Sequence, residues 1–181
     1  KLVHKPVPFS NYSATDIAVF ENPKNWFPWQ KQVYDMVFHK NGSFRNSHPR
    51  HIISLVDIKG CSGKSTWFKY WFFKHPEEIG RMTYGSASQL RASAVNIGEK
   101  KLYIIDLARA KSSNDSEVDL LAALEDLKNG LISNLMYGSG RTLMMEPPTI
   151  IISSNYFLDY QLLSEDRWQV YEITSTNKLK L

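Results

Sequence analysis

A single cysteine, Cys61, stands in 181 residues. One thiol excludes an internal disulfide and any cysteine-based zinc site, and it points to a reducing, intracellular setting. Long apolar runs are missing as well: stretches such as TIII at Thr149–Ile152 fall far short of the roughly 20 residues that a membrane helix needs. The opening KLVHKPVPFS has no apolar segment of the signal-peptide kind. Because it starts on Lys1, a fragment or processed product is expected. Internal repeats and low-complexity stretches are absent. Neither sign of charge dominates: 22 Lys and Arg against 18 Asp and Glu leave a net +4, which permits a nucleic-acid partner without demanding one. What remains is 43% hydrophobic and 22% charged, a composition that rules out a fibrous or intrinsically unfolded chain and suits one ordinary domain.

Residues 1–25, rich in Pro, Asn and Ser, read as a linker or arm. After Pro28 the pattern predicts a helix from Trp29 to His39, with Trp29, Val33, Met36 and Val37 on one face and Asn41-Gly42 as its stop. Residues 43–50 form a polar loop. His51–Asp57 (HIISLVD) has the β-branched content of a buried strand. Two helices follow, Lys64–Lys74 and Ser86–Asn96, the second with Leu90 and Ala94 on one face. Leu102–Asp106 (LYIID) reads as another buried strand. Ser116 and Asp119 suggest a capping box for a helix carrying Val118, Leu121, Leu124 and Leu127 and ending at Gly130. Leu131–Tyr137 and Arg141–Met145 flank Gly138-Ser139-Gly140 as a hairpin. Thr149–Ser153 and Arg167–Ile173 complete the strands. Strands alternating with helices predict an α/β fold with a central parallel sheet flanked by helices.

The sharpest motif is IKGCSGKST, Ile58–Thr66, between a strand and a helix. Its GKS matches the end of the phosphate-binding pattern G-x-x-x-x-G-K-[ST]. Ile58 stands at the first glycine position, and the form here is D-x-x-G-x-x-G-K-S-T from Asp57. GK[ST] triplets also arise by chance on surface turns, but few of those fall between a buried strand and a helix. Such a loop turns backbone N–H groups towards phosphate oxygens, and the helix start adds its dipole. The candidate ATP-binding residues are Gly60, Cys61, Ser62, Gly63, Lys64, Ser65 and Thr66. Lys64 reaches the β- and γ-phosphates and is otherwise expected to face solvent, and Ser65 ligates Mg²⁺; Cys61 is a small loop residue rather than a nucleophile.

Asp106 ends a buried strand, where ligands sit in open α/β sheets. An acid there serves as the Walker B group that holds Mg²⁺, although Leu107 stands where many such ATPases carry a second acid. Asn155, after TIIISS, places an amide beside the same crevice, suited to the γ-phosphate or the attacking water. The order of strand–GKS, strand–Asp and strand–Asn is far more specific than any member alone.

These segments resemble the superfamily 3 helicase domain of replication-initiator (Rep) proteins of circular single-stranded DNA viruses, the circovirus-like group. The likeness runs through FPWQKQVYDMV (27–37), VDIKGCSGKST (56–66), YGSASQLRASAV (84–95), LYIIDLARA (102–110), the hairpin, EPPTIIISSN (146–155) and LLSEDRWQVYEI (162–173), most of residues 27–173. Walker A, Walker B, the B′ hairpin and motif C fall in the family's order. The resemblance implies an AAA+-like P-loop NTPase working as a hexameric, ATP-driven helicase that moves 3′ to 5′ on single-stranded DNA during rolling-circle replication, in the host nucleus. It implies a helical oligomerisation segment at 26–50, an ATPase/helicase domain at 51–175 and a C-terminal tail at 176–181. Full-length members also carry an HUH endonuclease. No H-x-H pair occurs among His4, His39, His48, His51 and His75, so that domain is expected to be absent from this chain. Asp106-Leu107-Ala108-Arg109 fits the family's D-x-x-R loosely. In the hairpin, Met136 replaces the lysine common before the tyrosine, so DNA contact passes to Arg141, with Tyr137 stacking or supporting. Arg167 resembles the arginine finger that acts on a neighbouring subunit's nucleotide; the plain alternative is a local ion pair with Glu165 or Asp166.

Other groups weigh less. Lys100 and Lys101 read as a solvated strand edge, and Trp67, Phe68, Trp71, Phe72 and Phe73 as core and subunit packing. His48 and His51 lack a third metal ligand. Competing functions are a small-molecule kinase, which needs an arginine-rich lid that is not seen, a nucleotide-gated assembly module with little turnover, and an RNA-virus superfamily 3 ATPase.

Overall fold

The computed structural model describes residues 15–83, 86–107, 114–134 and 140–181. Five parallel strands and one antiparallel strand form the central sheet: β1 (Ile52–Val56), β2 (Ile79–Thr83), β3 (Leu102–Asp106), β6 (Thr149–Ser154), β7 (Trp168–Ile173) and β8 (Leu179–Lys180), in the spatial order β2-β3-β6-β1-β7-β8. A separate hairpin pairs β4 (Leu131–Asn134) with β5 (Arg141–Met144). The expected α/β architecture with a mostly parallel sheet is therefore present.

β1 is buried along its whole length because helices cover both sheet faces, the arrangement that parallel strands require. The two-residue period then sorts side chains between two cores. Ile53, Leu55, Ile104 and Ile151 face α1 (Thr15–Ala18), α2 (Pro28–Val37) and α3 (Lys64–Lys74). Ile52, Ile105, Ile150 and Ile152 face α4 (Ala87–Ile97) and α5 (Asn114–Asn129).

α2 follows the expected face: Trp29, Val33 and Val37 are buried and Met36 packs against them. Pro28 occupies the first turn, where its missing N–H costs nothing, and the Phe27 N–H donates to Gln30 Oε1 at 2.8 Å. The helix stops two residues earlier than the pattern suggests. Phe38 leaves it to bridge Phe44, and the turn between them closes at Gly42, φ +82°. Trp29 and Trp26 meet Trp67 of α3 with ring centroids 5.1 and 5.8 Å apart. Residues 26–38 thus share one core with the sheet, and the boundary expected at 50/51 is no break in packing. The arm expected over 1–25 is also partly structured: Ile17 and Phe20 are buried in that same core. Trp67, Phe68 and Trp71 are core residues, whereas Phe73 is exposed.

Two strands escape the sequence pattern. β2 (IGRMT) carries glycine and arginine and lies at the sheet edge; Ile79 is buried in one core and Met82 in the other, while Arg81 and Thr83 are exposed. Gly80 is needed there, since a Cβ would lie 2.9 Å from Tyr103 Cδ1. β8 is two residues long and pairs antiparallel with β7. The expected tail at 176–181 therefore belongs to the sheet, and the Trp29 N–H donates to the Asn177 carbonyl at 3.0 Å. α5 starts at Asn114, ahead of the Ser116 box. Its buried face is Leu120, Leu121, Leu124 and Leu127, whereas Val118, expected inside, is exposed. Glu117 takes the inner position instead and accepts the Asp159 N–H at 2.7 Å. β5 ends at Met144, one residue before the expected Met145. Tyr137, Gly138 and Ser139, like Ala108 and Arg109, lie outside the described residues.

Candidate nucleotide-binding site

The site is built at the C-terminal ends of β1, β3 and β6. The last rung of β1 is the Asp57 N–H donating to the Ser154 carbonyl at 2.9 Å. The chain then turns through Gly60 (φ +71°), Cys61 (φ +63°) and Gly63 (φ +80°) before α3 begins at Lys64. Left-handed backbone suits glycine, whereas Cys61 adopts it against its preference. Gly60 meets a second demand: a Cβ there would lie 3.2 Å from Asn155 Nδ2. Gly63 precedes α3 and supplies no capping side chain, which leaves the helix start open towards the cleft.

Parallel register places the remaining groups. β3 sits between β2 and β6, with Asp106 level with Thr83 and with Ser153. β6 sits between β3 and β1, and Asn155 follows its last residue. The three strand ends open on one cleft of about 360 Å³, lined by Asp57, Cys61, Ser62, Gly63, Lys64, Ser65, Thr66, Thr83, Asp106, Leu107 and Asn155. The sequence-predicted Lys64, Ser65, Asp106 and Asn155 are thus brought together from separate parts of the chain, with the loop residues from Cys61 to Thr66.

Lys64 differs from the expectation of a solvent-facing group. It is 8% exposed, and its Nζ lies 2.8 Å from Asp57 Oδ2. Asp57, 2% exposed, also accepts the Gly60 N–H at 2.9 Å, the Ser62 N–H at 3.3 Å and the Ser62 hydroxyl at 2.6 Å. Burial by itself pushes the Asp57 carboxyl up, but the Lys64 ammonium and the Ser62 hydroxyl outweigh it and hold the group below the usual carboxylate range. The motif reading missed this role. Its signal was an acid at a strand end, seven residues before the loop lysine.

Asp106 is partly exposed and lies 3.4 Å from Arg81 Nη2, an open pair that contributes little. Leu107 is 3% exposed, so an apolar side chain occupies the position after the acid. Ser65 and Asp106 offer a hydroxyl and a carboxylate to the same cleft. Those hard oxygen donors fit Mg²⁺, which takes one or two carboxylates and completes its shell with substrate phosphates and water. Among the described residues no cluster of three or more His, Cys, Asp or Glu could hold a metal by itself.

Arg167 and Arg141 lie outside this cleft. Arg167 precedes β7, whose first residue pairs with Ile52 at the start of β1, at the opposite end of the strands from the glycine loop. Its side chain turns inward. It is 7% exposed, with Nη2 3.1 Å from Glu125 Oε1 and Nη1 3.4 Å from Asn129 Oδ1. A finger acting on a neighbour needs an accessible guanidinium, and this one is held inside its own chain. Neither local partner expected for it is used: Asp166 pairs with Arg50 instead. Arg141 is exposed at the start of β5, opposite Asn134.

No protein-family model matches the chain, and no curated protein matches it. Among the described residues no helix is long and apolar enough to cross a membrane.

Proposed function

We propose that this chain is the ATP-driven motor domain of a superfamily 3 type DNA helicase, the P-loop NTPase part of a viral rolling-circle replication initiator. One observation carries the reading: Lys64 and Ser65, Asp106 and Asn155, from three different strand–loop junctions, converge on a single cleft at the C-terminal edge of a parallel sheet. A chance GKS turn has no reason to gather an acid and an amide from two further strands.

The roles follow from position. Loop N–H groups from Gly60 to Ser65 surround the phosphates, and Lys64 delivers its ammonium to the β- and γ-oxygens. Ser65 and Asp106 hold Mg²⁺, which when bound neutralises charge on those oxygens. β6 lies between β1 and β3, so Asn155 stands between the lysine and the acid, where an amide orients a water at the γ-phosphate. Arg141, exposed on β5, offers its charge to the backbone of single-stranded DNA. A homo-oligomeric ring, by family resemblance a hexamer, and work in the host nucleus complete the proposal.

Leu107 favours a second reading, a nucleotide-gated assembly module with slow turnover, because an apolar buried side chain stands where a water-activating acid is common. ATP hydrolysis measured with and without single-stranded DNA separates the two. The helicase reading predicts Mg²⁺-dependent turnover that rises with DNA. Binding and assembly without turnover support the module, and failure to bind nucleotide overturns both.

A further inference from the structure

Four donors converge on the Asp57 carboxylate: the Gly60 N–H, the Ser62 N–H, the Ser62 hydroxyl and the Lys64 ammonium. Three of them belong to the set that a loop of this kind turns towards phosphate: two backbone N–H groups and the lysine that follows the last glycine. Asp57 and Lys64 both line the cleft and both are at least nine-tenths buried, so water screens neither. We propose that Asp57 is an internal anion that competes with nucleotide phosphates for Lys64 and the loop N–H groups, and thereby sets how tightly the loop takes a nucleoside di- or triphosphate. The inference rests on the nucleotide reading above and adds to it a residue outside the GKS motif.

Phosphate binding at this loop is an exchange of one anion for another. The Asp57 backbone is fixed by its N–H bond to Ser154, so its carboxylate can leave the cradle only by side-chain rotation. A phosphate that engages Lys64 must either displace that carboxylate or share the ammonium with it. Displacement gives up the hydrogen bonds on Asp57, and sharing sets two negative groups side by side where screening is weak. Either way part of the phosphate's binding energy is spent on Asp57. In return the pair keeps Lys64 and the loop in a defined shape. A carboxylate whose only task were to shape the loop would act with the opposite sign: removing its charge would loosen the cradle and weaken binding.

The test is calorimetric titration of the full chain with Mg²⁺–ADP and with pyrophosphate, comparing wild type, Asp57→Asn and Ser62→Ala. Asp57→Asn is expected to bind both probes at least ten-fold more tightly, equivalent to about 1.4 kcal/mol. The gain should be similar for the two because the competition is for phosphate. Ser62→Ala removes one donor from Asp57 and should give a smaller gain in the same direction, which keeps the proposal testable if Asp57→Asn does not fold. Unchanged or weaker binding in Asp57→Asn, or in Ser62→Ala where the former is unfolded, overturns the inference while leaving the nucleotide reading in place. If wild type and both variants bind neither probe, the nucleotide reading falls and this inference falls with it.

Discussion

Lys64→Ala removes one half of a buried ion pair, and its first effect should be on stability. The ammonium lies 2.8 Å from Asp57 Oδ2, with both residues under one-tenth exposed. Breaking a buried pair by deleting one partner costs roughly 3–5 kcal/mol because the other charge is left uncompensated. Here the Gly60 N–H and the Ser62 N–H and hydroxyl still bind the carboxylate, so a figure of about 2–3 kcal/mol is expected. For a chain of this size each kcal/mol moves Tm by roughly 2–4 °C, so the variant should melt about 4–12 °C lower at pH 7. The acid response adds a check of sign. Asp57 has a depressed carboxyl in the folded protein, so its contribution is complete above the unfolded carboxylate range and is lost as pH falls through the folded value. Removing Lys64 takes away a contact that depresses it, and the onset of acid destabilisation should move to higher pH. The double variant Lys64→Ala/Asp57→Asn should recover part of the loss. Thermal unfolding by circular dichroism, repeated from pH 7 into the acid range, measures all three. A Lys64→Ala protein as stable as wild type at every pH would refute the buried pair. The same data decide how a loss of ATPase activity in Lys64→Ala is read, because a melted loop and a missing phosphate ligand both abolish turnover.

Gly130→Ala should be among the most destabilising single-atom additions: a Cβ would lie 2.1 Å from the Met145 carbonyl at φ +74°, and a loss of at least about 2 kcal/mol in urea unfolding is expected. Arg141→Ala should weaken single-stranded DNA binding evenly across sequences and reduce the salt slope by about 1, measured by fluorescence anisotropy over a salt series; an unchanged slope makes Arg141 an ordinary surface charge. Arg167→Ala should lower Tm by leaving Glu125 and Asn129 without their partner, and mixing it with Lys64→Ala should restore no ATPase activity. Rescue in the mixture would show that Arg167 turns outward and acts on a neighbour.

Much of this arrangement was legible in the residues. β1, β3 and β6 read correctly because runs such as IISLV and TIII are buried on both faces, and the GKS loop was legible because glycine marks left-handed turns. Asp106 and Asn155 were found by their position at strand ends, which register then converted into proximity. β2 was missed because Ile79 and Met82 are its only large apolar residues, and Gly80 and Arg81 between them break any strand pattern. Lys64 looked solvent-facing because a motif specifies what a lysine does for phosphate, not which carboxylate holds it meanwhile. Arg167 looked like a finger for a related reason: its place before β7 follows from the chain, whereas its inward rotamer depends on Glu125, some forty residues away on α5.

The central claim is that Lys64, Asp106 and Asn155 form one Mg²⁺-dependent ATP-hydrolysing site. The most direct measurement is hydrolysis of ATP by purified wild type and Asp106→Asn, with nucleotide binding and Tm recorded on the same samples. The account predicts Mg²⁺-dependent turnover in wild type, and in Asp106→Asn a loss of turnover of at least about 100-fold, several times larger than any change in affinity, with no fall in Tm beyond the small contribution of an exposed pair with Arg81. Turnover in Asp106→Asn equal to that of wild type would contradict it.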